Sequence, residues 1–504
     1  MFPFTATDLQ AQFGTDMYRD SLVIANDAAL WLQRTPSGKY LTIAAPSNHA
    51  WLTQFSDQSQ SSRSSQSFSD GYALNFYPTN HANARSLMTA LPYLKPVPLG
   101  LAASAGCGDR LGLATPGHVQ AFHAVAQQPG AHPIAAIFAQ QSIREMNRTH
   151  RSPDDVLCDA TWGAFEAGWS KPVGADADHL KTTEDINACV AAGYSFFTFD
   201  PGLFVDSEAD SAPPTIIQQK VAALPWSELA SSPEEMRQRY ENHVFELEDR
   251  HIVLDAESLW RAAAKYGKAI NHVAFMYRHL ASCGIPFELE ISVDETETPT
   301  THGEHLFIVS ELQRLGVHWI SLAPRYIGRF EKGVDYIGDL HALQADLAGH
   351  AAIARAFGPY KLSLHSGSDK FSVYPLIVSA TRGVVHLKTA GTSYVEALRV
   401  IAAVNIPLFR DLYAYAYECY MTDRASYHVS AELSRVPPID TLSDAQLPAV
   451  LDQFDTRQML HVTFGSVLAR FGNDLQASLR IHEEAYYTTI EQHFVKHLRP
   501  FAQV

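Results

Sequence analysis

From Pro96 onward the chain repeats one pattern: a short apolar run, a loop, then a stretch with apolar residues at helical spacing. The runs are Val97–Ala102, Ile134–Phe138, Pro172–Asp178, Ser195–Asp200, Phe287–Asp294, His318–Ala323, Tyr360–His365 and Val384–Lys388. Helical patterns between them include Ile186–Ala192, Ala274–Ala281 and His305–Leu315. Eight strand–helix units in series predict an α/β fold, a closed (β/α)8 TIM-like barrel over residues 96–405. Residues 1–95 predict an α+β region, with strands at Leu22–Ile24 and Tyr40–Ala44 and a Ser-rich stretch at 56–69. Residues 203–268 are too long for a βα loop and predict a helical insertion after the fourth strand, placed to act as a lid. Residues 406–504 predict a helical C-terminal extension outside the barrel.

Within the strands the alternation is sharper than the count. One face reads Val173, Ala175, Ala177; Leu289, Ile291, Val293; Leu362, Leu364; Val385, Leu387. The other reads Asp176, Asp178; Thr198, Asp200; Glu288, Glu290, Ser292, Asp294; Ser363, His365; His386, Lys388. In a barrel the apolar set faces the helices and the polar set faces the interior. Interiors are ordinarily filled by Val, Ile and Leu, so a lining of charge needs a reason. A salt-bridged plug is one reason. Concentration of the polar residues at the strands' C-terminal ends, where barrel active sites sit, favours another.

Composition narrows the function classes. A net charge of −16 argues against nucleic acid, which demands a basic face, while leaving a small anionic substrate open. Five scattered cysteines without a CxxC indicate a reducing compartment and no cysteine metal site. The N-terminus has no basic and apolar export pattern, and no apolar run approaches the roughly 18–20 residues of a membrane span. The expectation is a cytoplasmic protein; a homo-oligomer is compatible with the sequence but not specified by it.

Three histidines stand near these strand ends: His179 after the third, His305 at the helix start after the fifth, and His365 closing the seventh. Strands three, five and seven share one parity, so their ends converge at similar height. Three imidazoles around an open position make a Lewis-acid site for one divalent metal ion. Asp178 is an alternative to His179 as ligand, and His302 to His305. Such donors do not separate Zn from Mn, Co or Ni. In a chain with 23 histidines, a structural or solvated role is the plainer account of any one.

Several long stretches resemble the tagaturonate epimerase family. They are Gly108-Asp109-Arg110-Leu111-Gly112-Leu113-Ala114-Thr115-Pro116, Phe138–Glu145, Gly174–His179, Ser292–Thr300, His365–Pro375 and His386–Ser393, reaching the tail at His461-Val462-Thr463. The resemblance implies a metal-dependent barrel that interconverts D-tagaturonate and D-fructuronate in uronate catabolism, with some relatives acting on neutral ketohexoses.

Those two sugar acids differ at one carbinol carbon, β to the ketone. The carbonyl does not acidify that C–H, so direct proton abstraction is unfavourable. Deprotonating the hydroxyl instead permits retro-aldol cleavage, rotation of the aldehyde and re-addition to its other face. This needs a Lewis acid and an acid/base pair. Asp178 and Glu290 are the expected pair, with Asp109 and Asp294 in reserve; a buried partnership with Lys388 is the alternative for Glu290. A redox route lacks support, since no GxGxxG follows a strand. Lys181, Lys370 and the Ser366–Ser368 turn, with Arg144 and Arg325, are expected around the substrate carboxylate. Gln141 and Ser142 suit sugar hydroxyls, and Asp109, Asp294 and Lys388 complete the expected substrate contacts. A class II-type aldolase, a ketohexose 4-epimerase for tagatose and fructose, and a non-catalytic scaffold are the competing readings.

Overall fold

The structure, a computed structural model, describes residues 2–503 except 37, 57–65 and 70, so most of the Ser-rich stretch at 56–69 lies outside the described residues. Eight parallel strands close into a barrel in chain order. They are β1 (Ser104–Cys107), β2 (Ala135–Ser142), β3 (Val173–Leu180), β4 (Phe196–Phe199), β5 (Glu288–Ser292), β6 (Ser321–Ala323), β7 (Lys361–Leu364) and β8 (Val385–Thr389). The expected alternation is realised in pairing. Leu362 lies opposite Val385, Leu364 opposite Leu387, and Ser363 opposite His386, so each strand turns one whole set inward. The outward set, Ala175, Ala177, Leu289, Ile291, Leu362, Leu364, Val385 and Leu387, is completely covered by helices.

The first strand differs from the expectation. Val97–Ala102 makes only an edge contact, a bridge from Pro96 to Val173 with Val97 N–H donating to the Val173 carbonyl at 2.9 Å. Pro96 and Pro98 have no N–H to give a ladder. The strand instead forms at Ser104–Cys107, whose small residues carry no apolar signal. β2 runs four residues beyond its predicted end, through a register shift between Ile137 and Ala139.

The N-terminal region is a five-stranded antiparallel sheet that includes Val23–Ala25 and Gly38–Ala45, close to the predicted strands. Between β4 and β5 the insertion carries helices Pro214–Ala222 and Pro233–Tyr240 and the hairpin Val244–Glu246/His251–Val253. The 27-residue helix Ala256–Ser282 that follows is the barrel's own fourth helix. The insertion packs against the flank of the barrel, where Tyr240 donates to Glu311 at 2.6 Å.

The C-terminal extension is mostly helical: Ile406–Asp423, Phe454–Val462, Phe464–Ile481 and Glu483–Ala502. Its last helix lies along Thr115–Ala126, the helix that follows β1. The approach is close because Gly117 has no Cβ; one there would stand 2.7 Å from Ile490 Cβ. His118 packs on Phe494 beside it, ring centroids 4.3 Å apart. Arg457 binds the extension to the barrel, reaching Asp369 at 3.2 Å and the Gly333 carbonyl at 2.7 Å in its loops and Glu396 at 3.0 Å in the helix Thr392–Val404.

Candidate active site

The inward residues form a buried charge network before they form a site. Lys388 Nζ lies 2.8 Å from Asp176, 2.8 Å from Asp178 and 3.1 Å from Glu290, and donates to Thr198 Oγ1 at 2.6 Å. Three carboxylates around one ammonium leave net negative charge, so the group nearest the mouth draws further cations. Burial alone would raise Asp178, but Lys388, then His365 and His179, outweigh it and hold the carboxyl well below its ordinary range. Asp176, deeper and crowded by Asp178 and Glu290, is pushed up by burial to about 6. The plug and the site are thus one structure, with the plug as the site's floor.

Above the floor two imidazoles face each other, His179 and His365, ring centroids 4.3 Å apart. His365 Nε2 is 3.3 Å from Asp178 Oδ1, and its Nδ1 is 3.2 Å from Glu290 Oε1. His179 Nδ1 is 3.2 Å from Asp200 Oδ2. Burial disfavours charge on both rings. For His365, Asp294 and Asp178 overcome it and raise the imidazole well above its usual value; for His179, Asp178 does so. Positive charge is what this pocket demands. His179 has a left-handed backbone, φ +53°, at a register shift in the β3–β4 pairing. A non-glycine residue there is strained, and strain of this kind concentrates at functional sites.

Donor atoms of Asp178, His179 and His365 lie within 4.8 Å of one another, a set that fits a divalent ion: two imidazoles, one carboxylate and a surplus of negative charge around them. His305 does not join them. It faces away from the barrel mouth in the helix His302–Arg314, with Nδ1 2.8 Å from His350 Nδ1 and Nε2 2.8 Å from the Tyr360 hydroxyl. The capping box of Thr301 and Glu304 starts the helix three residues earlier than predicted, which carries His305 onto its buried face.

A cavity of about 230 Å³ opens over His365, walled by Asp294, Glu295, Arg325, Lys332, Ser366 and Tyr427. A smaller one adjoins it, bordered by Gln140, Ser142, Arg144, Asp178, His179 and Ser368. Asp178, His179, His365, Ser142, Asp294, Ser366 and Ser368 therefore converge as expected. Asp294 accepts from Ser292 at 2.6 Å and from Ser366 at 3.1 Å.

Other expected contacts are spent elsewhere. Asp109 accepts three backbone N–H groups of its own loop, from Leu111, Gly112 and Ala114. Gln141 faces Arg151 at 3.1 Å, because the bulge in β2 shifts the parity. Gln140 points inward in its place and donates to Asp178 Oδ2 at 3.1 Å. Lys370 borders the smaller cavity, but its ammonium is used on the carbonyls of Glu331, Val334 and Ser368. Lys181 pairs with Asp200 at 3.1 Å in a groove behind His179. Lys388 and Glu290 stay in the floor: neither borders the cavities, and Glu290 reaches them only through His365.

The expected lid does not reach the mouth. Among the described residues none of the 203–268 insertion borders the mouth; Tyr427 and His428 of the C-terminal extension do, with the loop 324–332. Lys332 had no sequence signal, since that loop has no periodicity. It donates to Ser366 Oγ at 3.2 Å and stands 3.7 Å from Glu295, which also pairs with Arg144 at 3.0 Å. Arg144 lies over the Tyr427 ring, 5.3 Å from its centroid.

Comparison with known proteins finds tagaturonate epimerases among the relatives of this chain. The sequence model of the UxaE family, described as tagaturonate epimerase, matches residues 18–501. A tagaturonate/fructuronate epimerase of Thermotoga maritima is 41% identical over 487 residues, 96% of each chain. Crystal structures of the fructuronate-tagaturonate epimerase UxaE from Cohnella laeviribosi, one native and one complexed with glycerol, superpose with a TM-score of 0.88 at 34% identity, covering 98% of both chains.

Proposed function

The chain belongs to the tagaturonate epimerase family, and on that footing we propose that it interconverts D-tagaturonate and D-fructuronate by inverting the carbinol carbon β to the ketone. The observation that carries the chemistry is the convergence of Asp178, His179 and His365 on one cavity at the barrel mouth, beside Lys332 and Arg144. A divalent ion held by His179 and His365 would polarise the ketone and stabilise negative charge on its oxygen.

The protein's own groups do the rest. Of the carboxylates that border the cavities, Asp178 and Asp294 flank His365, at 3.3 Å and 3.9 Å, and they take the acid/base roles. One removes the hydroxyl proton, so that the bond between the carbinol carbon and its α-carbon breaks, leaving an aldehyde and an enediolate fragment. After the aldehyde turns, the same bond re-forms on its other face and the new alkoxide takes its proton from the second group, which enters as the carboxylic acid; passage of a proton from the first group to the second resets the pair. Atoms and charge balance, and no redox partner is needed. Lys332 and Arg144 hold the substrate carboxylate, and Tyr427 limits water over the aldehyde. Glu290 keeps His365 oriented and is a positioning residue.

Incubation with D-tagaturonate tests this. D-fructuronate should form without three-carbon fragments, and chelation should abolish turnover until a divalent metal is restored. Free trioses would make the protein an aldolase. Full activity after exhaustive chelation would remove the ion from the mechanism.

A further inference from the structure

Outside the barrel mouth, His302 and the pair Asp346/His350 meet between two neighbouring helices, His302–Arg314 and Leu340–Ala356. Asp346 and His350 are four apart and share one helix face. Asp346 Oδ1 stands 3.5 Å from His302 Nε2 and 3.6 Å from His350 Nε2. Both separations are too long for good hydrogen bonds. They match the ligand–ligand edge of a tetrahedral site, about 3.3–3.6 Å when each ligand is about 2.0–2.2 Å from the ion.

Three further observations point to a ligand. Nε2 of His350 is completely buried and makes no well-aligned hydrogen bond, although the Thr300 carbonyl also faces the ring. Its Nδ1 is 2.8 Å from His305 Nδ1, and His305 Nε2 is 2.8 Å from the Tyr360 hydroxyl. If His350 donates to His305 and His305 to Tyr360, the free Nε2 carries its lone pair toward Asp346. This is the outer-shell pattern by which metal-bound imidazoles are held. Gly349, inside a helix where glycine is disfavoured, leaves the space for the His302 ring; a Cβ there would stand 2.1 Å from Cε1.

We infer that His302, Asp346 and His350 form a second metal site, separate from the barrel mouth, for a borderline divalent cation of the zinc, cobalt or nickel class, with His305 as its orienting partner. His302 keeps its side chain 32% exposed, which provides an entry path, and a water completes the tetrahedron. On binding, His302 Nε2 exchanges its 3.0 Å bond to the Asp346 carbonyl for the ion. Asp346 Oδ2 meanwhile accepts from Ile327 N–H at 3.2 Å, so the ion would stiffen the loop that carries Lys332 into the active cavity.

The test uses the full-length chain, stripped by chelation and titrated with zinc alone, with bound metal counted by elemental analysis. Wild type should bind one equivalent more than His302→Ala, whose metal-free melting temperature should match wild type. Gly349→Ala, which leaves all three ligands in place, should weaken that equivalent at least tenfold. His365→Ala should keep it, which separates this site from the one proposed for catalysis. Equal zinc content and affinity in wild type, His302→Ala and Gly349→Ala would overturn the inference.

Discussion

Lys332 and Glu295 stand where the substrate's charge is read. Glu295 pairs with Arg144 at 3.0 Å and lies 3.7 Å from Lys332 and 3.8 Å from His179 Nε2, so a carboxylate already occupies the cationic corner. Burial opposes its charge, but His179, Lys332 and Arg144 hold it well below the ordinary carboxylate range. A uronate must compete with Glu295 for those cations; a neutral ketohexose need not. Since a hydrogen bond to a charged group contributes about 1.5–3 kcal/mol, Lys332→Ala should raise KM for D-tagaturonate at least about tenfold. Turnover of D-tagatose, if measurable, should change less than about twofold. Equal losses on both substrates would remove Lys332 from carboxylate recognition. The residue-level pattern explains what could be read in advance. Asp178 and His365 were legible because strand parity fixes direction; His179 was legible only from its place at the end of the strand, since parity points it outward and a left-handed backbone at a register shift turns it to the mouth. Lys332 and Tyr427 were not, because an aperiodic loop and a distant extension reach the mouth only through tertiary packing. Gln140 was hidden by a single bulge that exchanged its direction with that of Gln141.

At the scale of elements, β3, β5 and β8 supply the floor and β7 stands on it. Glu290 of β5 accepts from Ser321 Oγ at 2.6 Å, takes Lys388 at 3.1 Å and holds His365 Nδ1 at 3.2 Å. Three elements are thus tied by one carboxylate that lines neither cavity. Glu290→Gln should lower kcat by about 10–100-fold, the usual effect of losing the partner behind a functional imidazole, with KM within about twofold of wild type. A KM that rises in step with the fall in kcat would place Glu290 against substrate instead. The strands themselves were legible because seven of the eight carry an apolar outward face. The first lies at Ser104–Cys107, made of small residues, whereas Pro96–Leu99 looks apolar but pairs only through the bridge from Pro96 to Val173. His305 was misread for a related reason. Helical phase is set by the capping box at Thr301, not by the apolar residue at which the periodicity becomes visible.

For the whole molecule, Arg457 fastens the extension to the barrel through Asp369 and Glu396, all three buried. Burial would raise Glu396, but His493, Arg457 and Arg399 hold it down at about 2. A carboxyl whose folded value lies below its unfolded value of 4.5 contributes stability that is complete above that pH and is lost as pH falls toward about 2. The melting temperature should therefore drop steeply between about pH 5 and pH 3. Arg457→Met, which takes the shared cation from two buried carboxylates and leaves them Arg399 and His493, should cost about 1–3 kcal/mol at neutral pH and flatten the acid limb. An acid limb as steep as wild type would show that other carboxylates control it. The helix Glu483–Ala502, seated against Gly117 and His118, carries a different implication. A ribosome releases the helix after β1 long before residues 483–502 have been made. Through that interval the surface meant for Ile490 and Phe494 has no cover, so the nascent barrel waits in a sticky, half-finished state. Its last helix acts as the clasp on a necklace, and the speed of late translation, or shelter by a chaperone, decides how many chains are closed before they stick to one another.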